Sequence, residues 1–216
     1  MSTRRKVGIL ISGRGTNMQA LIKAAEDPAY PAEIAVVISN RPDAKGIEFA
    51  KARGITTEII DHKAYASREA FDQALDAALK RHHVEIVACA GFMRITTAGF
   101  VDAWRDRMIN IHPALLPAYK GLHTHERALA DGATRHGCSV HLVRNDVDSG
   151  PIIAQARVPV LKSDTPEVLA QRVLDAEQKI YPRALALLAS GAFRVEGDNI
   201  IPVSPDVDLP IIIPTH

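Results

Sequence analysis

The sequence predicts an α/β fold built on an open, mostly parallel, twisted sheet with helices on both faces. Two observations lead to this prediction. Short β-branched runs alternate with longer segments of helical periodicity through the first half of the chain, and a turn separates each segment from the next. Strands that alternate with helices form βαβ units, in which crossover helices cover a parallel sheet.

Strands and helices alternate without a break before residue 113. The strands are expected at residues 6–12, 33–39, 57–61, 85–91 and 108–112. The helices are expected at residues 17–26, 44–53, 68–82 and 97–103. In the third helix Phe71, Leu75 and Leu79 share one stripe, which is the face expected to pack on the sheet.

The pattern changes in the second half of the chain. A loop rich in Pro, Gly and His covers residues 113–125, and a short helix is expected at 126–131. Two apolar runs, at 138–144 and 151–160, are joined by the turn 145–150. Runs joined in this way favour an antiparallel hairpin added to the parallel sheet.

A long helix is expected at residues 166–190. Thr165 is its predicted N-cap and Pro166 its first residue, whereas Pro182 predicts a kink or a break. A small hairpin is expected after Gly191.

The domain organisation is expected to be simple. No internal repeat or linker is visible, so we predict a single domain, residues 1–216, with its core at about 6–191. Residues 202–216 contain four prolines and are expected to be a loosely held tail.

Composition limits the partners and the location of the protein. The net charge of +1 at pH 7 gives no general field to attract nucleic acid or an anionic membrane. The basic start is followed by an apolar run at residues 7–11, shorter than the ~7–15 residues of a secretory signal. No segment reaches the ~20 apolar residues of a membrane span. We therefore expect a cytoplasmic monomer or homodimer that binds small molecules.

A glycine loop follows the first predicted strand directly. The segment SGRGTN (12–17) leads into a helix, and free N–H groups at a helix N-terminus bind anions. Met18 occupies the third glycine position of a dinucleotide fingerprint, and the Gly-Lys-Ser/Thr of a Walker loop is missing. We predict that the amides of Gly15, Thr16 and Asn17 bind one phosphate. The alternative is a structural turn with a helix cap.

Asn110 and His112 form the most informative pair. They are two apart in a predicted strand, so their side chains share one face at the carboxyl edge of the sheet, where open α/β folds bind ligands. Both side chains donate hydrogen bonds to an oxyanion, as acyl transfer requires. Asp148, in the turn 145–150, is expected to lie beside His112 and to raise its pKa. The alternative is a satisfied strand-end pair and an ordinary turn residue.

Other chemistries are weaker alternatives. Five of the nine histidines lie between residues 112 and 141, but they show neither an HExxH pattern nor paired cysteines, so we expect no metal site. A serine hydrolase would need a G-x-S-x-G turn, which is missing. Cys89 and Cys138 lie in apolar runs and are predicted to be reduced core thiols, with a catalytic thiol as the alternative.

Four stretches together resemble the phosphoribosylglycinamide formyltransferases, the folate-dependent family of purine biosynthesis. They are ISGRGTN (11–17), AGFMRI (90–95), NIHPALLPAYKGLHTH (110–125) and GCSVHLVRNDVDSGPII (137–153). The likeness extends in order from Lys6 to about Gly191. It implies a Rossmann-like formyltransferase fold and 10-formyltetrahydrofolate as co-substrate, with glycinamide ribonucleotide as the acceptor.

The resemblance implies roles for individual residues. Asn110 and His112 correspond to the family's oxyanion donors, with His112 protonated, and Asp148 to the residue that assists proton transfer. His141 corresponds to a supporting histidine close to them. The residues that the resemblance assigns to substrate binding are Gly15, Thr16 and Asn17 for the phosphate, Glu177 for the ribose, and Arg68, Met93, Arg94, Ile95, Thr96 and Asn110 for the folate.

Three rival functions remain at this point. A formyltetrahydrofolate deformylase uses the same catalytic trio but delivers the formyl group to water, and it carries an additional N-terminal domain that is not expected here. A methionyl-tRNA formyltransferase would need a C-terminal RNA-binding domain and a basic surface. A non-catalytic nucleotide-binding module would have no reason to combine Asn110, His112 and Asp148 with a folate-lining segment.

Overall fold

The computed structural model describes residues 4–207 and 209–214, and the chain divides into two compact units, Met1–Ile109 and Asn110–His216. The elements up to the division are β1 (Arg5–Ile11), α1 (Thr16–Ala25), β2 (Ala32–Ser39), α2 (Lys45–Lys51), β3 (Thr57–Ile59), α3 (Arg68–Arg81), β4 (Ile86–Cys89), α4 (Ala98–Ala103) and β5 (Met108–His112). Those that follow are α5 (Thr124–Ala130), β6 (Arg135–Leu142), β7 (Ile152–Pro159), α6 (Pro166–Ser190), β8 (Phe193–Glu196), β9 (Asn199–Pro202) and β10 (Ile211–Pro214).

The first unit confirms the predicted parallel α/β pattern. Its strands lie in the order β4-β1-β2-β3, and each neighbouring pair is parallel. The chain moves outward from β1 to β3 and then returns to the other side of β1. The strand order therefore reverses between β1 and β4, and open α/β sheets bind ligands beside the carboxyl ends of strands at such a point.

The helices of the first unit form where local signals and burial agree. Ser67 Oγ accepts a hydrogen bond from Ala70 N at 3.1 Å and caps the start of α3. Phe71, Leu75 and Leu79 of this helix are buried, which confirms the predicted apolar stripe.

The second unit contains the predicted antiparallel hairpin. Strands β6 and β7 pair antiparallel, with Cys138 opposite Ala156 and Ser139 opposite Gln155. The small hairpin expected after Gly191 is also present, since β8 and β9 pair antiparallel.

Helix α6 continues through Pro182, so the predicted alternative of a break is wrong, and that of a kink stays a prediction. Thr165 Oγ1 accepts from Val168 N at 3.4 Å and caps its start, as predicted, and Gly191 ends it in the left-handed conformation at φ 67°. Ile180 and Leu185, on either side of the proline, are fully buried. Packing on both sides of the proline outweighs the loss of one helical hydrogen bond.

Part of the C-terminal tail forms a strand that the sequence did not predict. Strand β10 pairs parallel with β7 from Ile211 to Pro214, because its β-branched run supplies the unpaired edge of β7 with a partner. How loosely the tail is held stays a prediction, and its residues 208, 215 and 216 lie outside the described residues.

Several broader expectations stay predictions. None of the described helices, including the 25-residue α6, is long and apolar enough to cross a membrane. The cytoplasmic location, the monomer or homodimer and the single domain are not tested by the architecture.

Candidate active site

Four polar side chains of the second unit form one connected cluster, in which two histidines contact a carboxylate. Strand β5 carries Asn110 and His112, β6 carries His141, and Asp148 lies in the turn that follows β6. Asp148 Oδ2 lies 3.2 Å from His112 Nδ1, and Asp148 Oδ1 lies 3.5 Å from His141 Nε2. The Asn110 amide nitrogen lies 3.3 Å from His141 Nε2. The structure therefore brings together the predicted trio and its supporting histidine, and their catalytic roles stay predictions.

A tight turn places Asp148 in this position. Asp148 itself adopts the left-handed conformation, with φ 49°. Gly150 is required because a Cβ atom there would lie 1.7 Å from Leu142 O. The carboxylate also accepts a hydrogen bond from Gly121 N at 2.9 Å, so the loop after β5 fixes its orientation.

Both ring nitrogens of His112 face oxygen atoms. Nε2 lies 2.9 Å from Tyr119 O, which can only accept, so Nε2 carries a hydrogen and donates it. Nδ1 faces Asp148 Oδ2, which attracts a proton to that nitrogen as well. A hydrogen bond between Nδ1 and the carboxylate needs one further proton, which the neutral ring does not carry.

Burial decides the charge of His112 in the free protein. It disfavours the imidazolium and lowers the pKa of His112 below its ordinary value, although Tyr119 O and the Asp148 carboxylate favour the charged ring. Repulsion from His141 and Arg127 acts in the same direction as burial. Asp148 does act to raise this pKa, as expected, but the expectation that it keeps His112 protonated is wrong, because the loss of hydration outweighs the carboxylate.

The opposite balance holds for Asp148. Burial acts to raise the pKa of Asp148, but the hydrogen bonds from His141 and from Gly121 N, with the charges of the two histidines, outweigh it. The net result is a pKa below the ordinary value, so Asp148 is a carboxylate at neutral pH.

The tautomer of His141 sets the direction of the Asn110 amide. His141 Nδ1 lies 2.9 Å from Leu142 O and donates to it. In the neutral ring Nε2 is then an acceptor, so it receives a hydrogen from the Asn110 amide. In the charged ring Nε2 instead donates to Asp148 Oδ1, and this is the hydrogen bond from His141 that lowers the pKa of Asp148.

The remaining histidines and the cysteines do not form a metal site in the described part of the chain. No group of three or more His, Cys, Asp or Glu residues there is arranged to hold a metal ion. His125 and His136 pack edge to face at 5.2 Å, and burial lowers the pKa of His136 to about 4. Burial raises the pKa of the Cys89 thiol to about 12 and that of Cys138 further, so both are poor nucleophiles.

The glycine loop of the first unit has the geometry of an anion site. Gly15 is left-handed, with φ 68°, and lies directly before α1, so the loop turns into the helix at this residue. The N–H groups of Thr16 and Asn17 belong to the first turn, where no helical acceptor exists. Gly46 packs against the loop, and its N–H donates to Gly13 O at 3.0 Å.

Ser12 connects the glycine loop to the segment 93–96, which is predicted to line the folate pocket and is called the folate segment below. Its Oγ accepts from Met93 N at 2.8 Å, and its own N–H donates to Gly91 O at 3.1 Å. These bonds connect the carboxyl ends of β1 and β4, where the strand order reverses. Met93 and Ile95 are 68% and 61% exposed, so the segment presents apolar side chains beside the glycine loop.

The other predicted binding residues lie on helices or near them. Arg94 stacks over the Phe71 ring at 5.2 Å, and Arg68 is exposed at the start of α3. In the second unit Glu177 is buried in α6.

Three groups of the site were not found from the sequence. Tyr119 O and Gly121 N act through the main chain, which has no side-chain signature, although glycine in the loop hinted at a tight turn. Arg127, which contacts the same loop, reads in the sequence as an ordinary helix-surface residue.

The fold and the site together define a class of protein. The formyl transferase family matches residues 5–185, so the chain belongs to this family. The phosphoribosylglycinamide formyltransferase of Escherichia coli (strain K12) is 42% identical over 187 residues, which are 87% of this chain and 88% of that protein. The crystal structure of glycinamide ribonucleotide transformylase 1 from Symbiobacterium toebii is 44% identical, with a TM-score of 0.90 over 93% of this chain and 95% of the other.

A longer relative contains the same region as one part. The trifunctional purine biosynthetic protein adenosine-3 of Bos taurus is 49% identical over 196 residues. They make up 91% of this chain but 19% of that protein, so the chain spans about a fifth of its length.

Proposed function

We propose that this protein transfers the formyl group of 10-formyltetrahydrofolate to the amine of glycinamide ribonucleotide in purine biosynthesis. The observation that carries the proposal is the contact of the Asp148 carboxylate with His112, beside the Asn110 amide, in a formyl transferase. The name of the E. coli relative, which matches along most of both chains, supports this substrate.

The first unit supplies the binding groups for one end of each substrate. The amides of Gly15, Thr16 and Asn17 bind the phosphate, because they lie at the positive end of the α1 dipole, which attracts anions. The exposed Met93 and Ile95, with Arg94 and Thr96 between and beside them, line the folate pocket.

Charged residues complete the recognition of both substrates. Arg68 is exposed and carries the positive charge that suits the carboxylates at the end of a folate. Glu177 accepts hydrogen bonds from the ribose hydroxyls of the nucleotide.

The chemistry proceeds through a tetrahedral intermediate. The amine nitrogen attacks the formyl carbon, and the carbonyl oxygen takes up the electron pair of the broken π bond. Asn110 donates an N–H to this oxyanion. His112 also donates to the oxyanion. As negative charge develops, its Nε2–H leaves Tyr119 O and forms a hydrogen bond with the oxyanion instead.

Asp148 transfers the proton that moves during the reaction. It accepts the proton that the attacking amine loses and passes it to His112 Nδ1, so the ring becomes an imidazolium and Asp148 is ionised again. The same proton returns through Asp148 to the leaving folate nitrogen as the C–N bond breaks. The developing oxyanion also favours the imidazolium of His112, which burial disfavours in the free protein. The charged ring therefore forms only with the intermediate, beside the ionised Asp148.

The proposal is tested by the identity of the acceptor. Purified protein is mixed with 10-formyltetrahydrofolate, and release of tetrahydrofolate is followed with glycinamide ribonucleotide, with unphosphorylated glycinamide riboside and with buffer alone. We expect rapid release only with the ribonucleotide. If tetrahydrofolate is released equally fast in buffer alone, the protein is a deformylase. If it binds the formyl-folate but releases no tetrahydrofolate under any condition, it is a binding module.

A further inference from the structure

We infer that Arg127 is a positioning residue, which holds the loop 119–123 in the conformation that orients His112 and Asp148. The inference rests on the proposed catalytic roles of these two residues. Arg127 lies on α5, outside the trio, and contacts neither reacting group through a hydrogen bond of its own; it acts through the main chain of the loop.

The loop supplies the two main-chain contacts that orient the catalytic pair. Tyr119 O accepts from His112 Nε2 at 2.9 Å, which fixes the tautomer of the ring and turns Nδ1 towards Asp148. Gly121 N donates to Asp148 Oδ2 at 2.9 Å. A shift of this loop would therefore disturb both members of the pair together.

The loop conformation is not one that the chain adopts readily. Tyr119, Gly121 and His123 are all left-handed, with φ of 53°, 80° and 58°. Only glycine adopts this region without strain, so Tyr119 and His123 must be held there by contacts.

Arg127 provides contacts along this loop. Its Nη1 donates to Lys120 O at 2.8 Å and to Leu122 O at 3.3 Å, on either side of Gly121. Its guanidinium also lies 5.5 Å from the centre of the Tyr119 ring. One side chain thus spans Tyr119 to Leu122 and connects them to a helix.

The guanidinium geometry suits this role better than an ammonium would. A planar guanidinium can direct N–H groups at two carbonyls and stack on an aromatic ring at once, whereas the lysine ammonium is a compact point charge. Arg127→Lys keeps the charge and weakens this geometry, and Arg127→Met removes the charge and the donors but keeps much of the stem. The control is Arg135→Met, which removes the same charge at an exposed position at the start of β6 in the same unit.

The experiment measures kcat and KM for both substrates across pH in the wild type and the three variants. For Arg127→Met we expect kcat to fall about tenfold, as when catalytic groups are slightly misplaced, with both KM values within about twofold. We expect the acid limb of the kcat profile to move to higher pH in both Arg127 variants, because the Gly121 N–H bond holds the pKa of Asp148 down. The charge of Arg127 itself lowers the pKa of His112 and is lost only in Arg127→Met, so a shift in that variant alone would overturn the inference. Arg127→Lys should lie between wild type and Arg127→Met, and Arg135→Met should match the wild type.

Each other outcome overturns the inference. If kcat in Arg127→Met is unchanged, and falls at the same acid pH as in the wild type, the loop keeps its conformation without Arg127. A lower melting temperature with an unshifted limb would make Arg127 a stabilising residue only. If Arg127→Met does not fold, the inference is tested by whether the acid side of the kcat profile moves to higher pH in Arg127→Lys. A wild-type protein without formyl transfer would instead refute the proposed function, whatever the variants do.

Discussion

Asp148 Oδ2 lies 3.2 Å from His112 Nδ1, and this contact joins two groups whose pKa values are both lowered. Burial disfavours the imidazolium form of His112, whereas hydrogen bonds favour the ionised carboxylate of Asp148. The resting pair is therefore a neutral imidazole beside a carboxylate. This arrangement leaves the carboxylate able to take up a proton from an attacking amine.

Removing the charge of Asp148 tests its role directly. Asp148→Asn keeps the size of the side chain but cannot accept a proton, and an amide NH₂ in place of Oδ2 would clash with Gly121 N–H. We expect kcat to fall by about 10²-fold or more, the scale of losing a key polar group in the transition state. Steady-state kinetics on enzyme of confirmed folding measures this. Asp146→Asn, in the same turn but exposed, should keep normal turnover, and near-normal turnover in Asp148→Asn would remove Asp148 from the mechanism.

Local sequence signals predicted much of the fold. Strand β5 and helix α6 were predicted with their observed ends, because Pro113 stops the strand and Thr165 and Gly191 delimit the helix. Strand β10 was missed because its partner β7 lies far away in the chain, and the continuity of α6 at Pro182 depends on packing that sequence does not reveal.

The site was predicted in its side chains but not in its electrostatics. The two-residue spacing of Asn110 and His112 and the turn before Gly150 placed the trio correctly. The sign of the pKa shift of His112 was wrong, because it depends on how much water burial removes. Spacing along a strand reports direction, and it does not report the depth of burial.

His136 is expected to make the folded state sensitive to acid. The ring is 1% exposed, and burial lowers its pKa from 6.5 to about 4. The unfolded chain takes up a proton near the ordinary value and the folded chain does not, so stability is lost as the pH falls from about 6.5 towards 4. Between about pH 7.5 and about pH 5 this amounts to about 2 kcal/mol for His136 alone.

Urea unfolding at these two pH values measures the effect. His136→Gln should reduce the pH dependence of the unfolding free energy by about 2 kcal/mol, although the variant is less stable at both pH values. An unchanged slope in His136→Gln would place the acid sensitivity elsewhere, for example at His125, whose pKa burial also lowers.

Gly15→Ala tests the phosphate loop. A side chain at φ 68° is strained, and its Cβ would lie 3.0 Å from Met18 Cε, so the loop must shift away from the start of α1. We expect the KM for glycinamide ribonucleotide to rise about tenfold, matching about 1–2 kcal/mol of left-handed strain, while kcat and the KM for folate change little. Gly54→Ala is the matched control because Gly54 has φ 70° and open space around it. It should lower the melting temperature without changing either KM, and equal KM values in both variants would refute the phosphate assignment.

Ser12→Ala tests the connection between the glycine loop and the folate segment. The substitution removes the acceptor of Met93 N and the donor to Asn40 Oδ1, which lies 2.6 Å from Ser12 Oγ. Both Ser12 and Asn40 are buried, so the orphaned groups should lower the free energy of unfolding by about 1–3 kcal/mol. Because Met93 is no longer held, we expect the KM for the formyl-folate to rise more than the KM for the ribonucleotide. Ser190→Ala, at the exposed end of α6, supplies the control, and a Ser12→Ala protein with lower stability but both KM values intact would show that the bond only stabilises the fold.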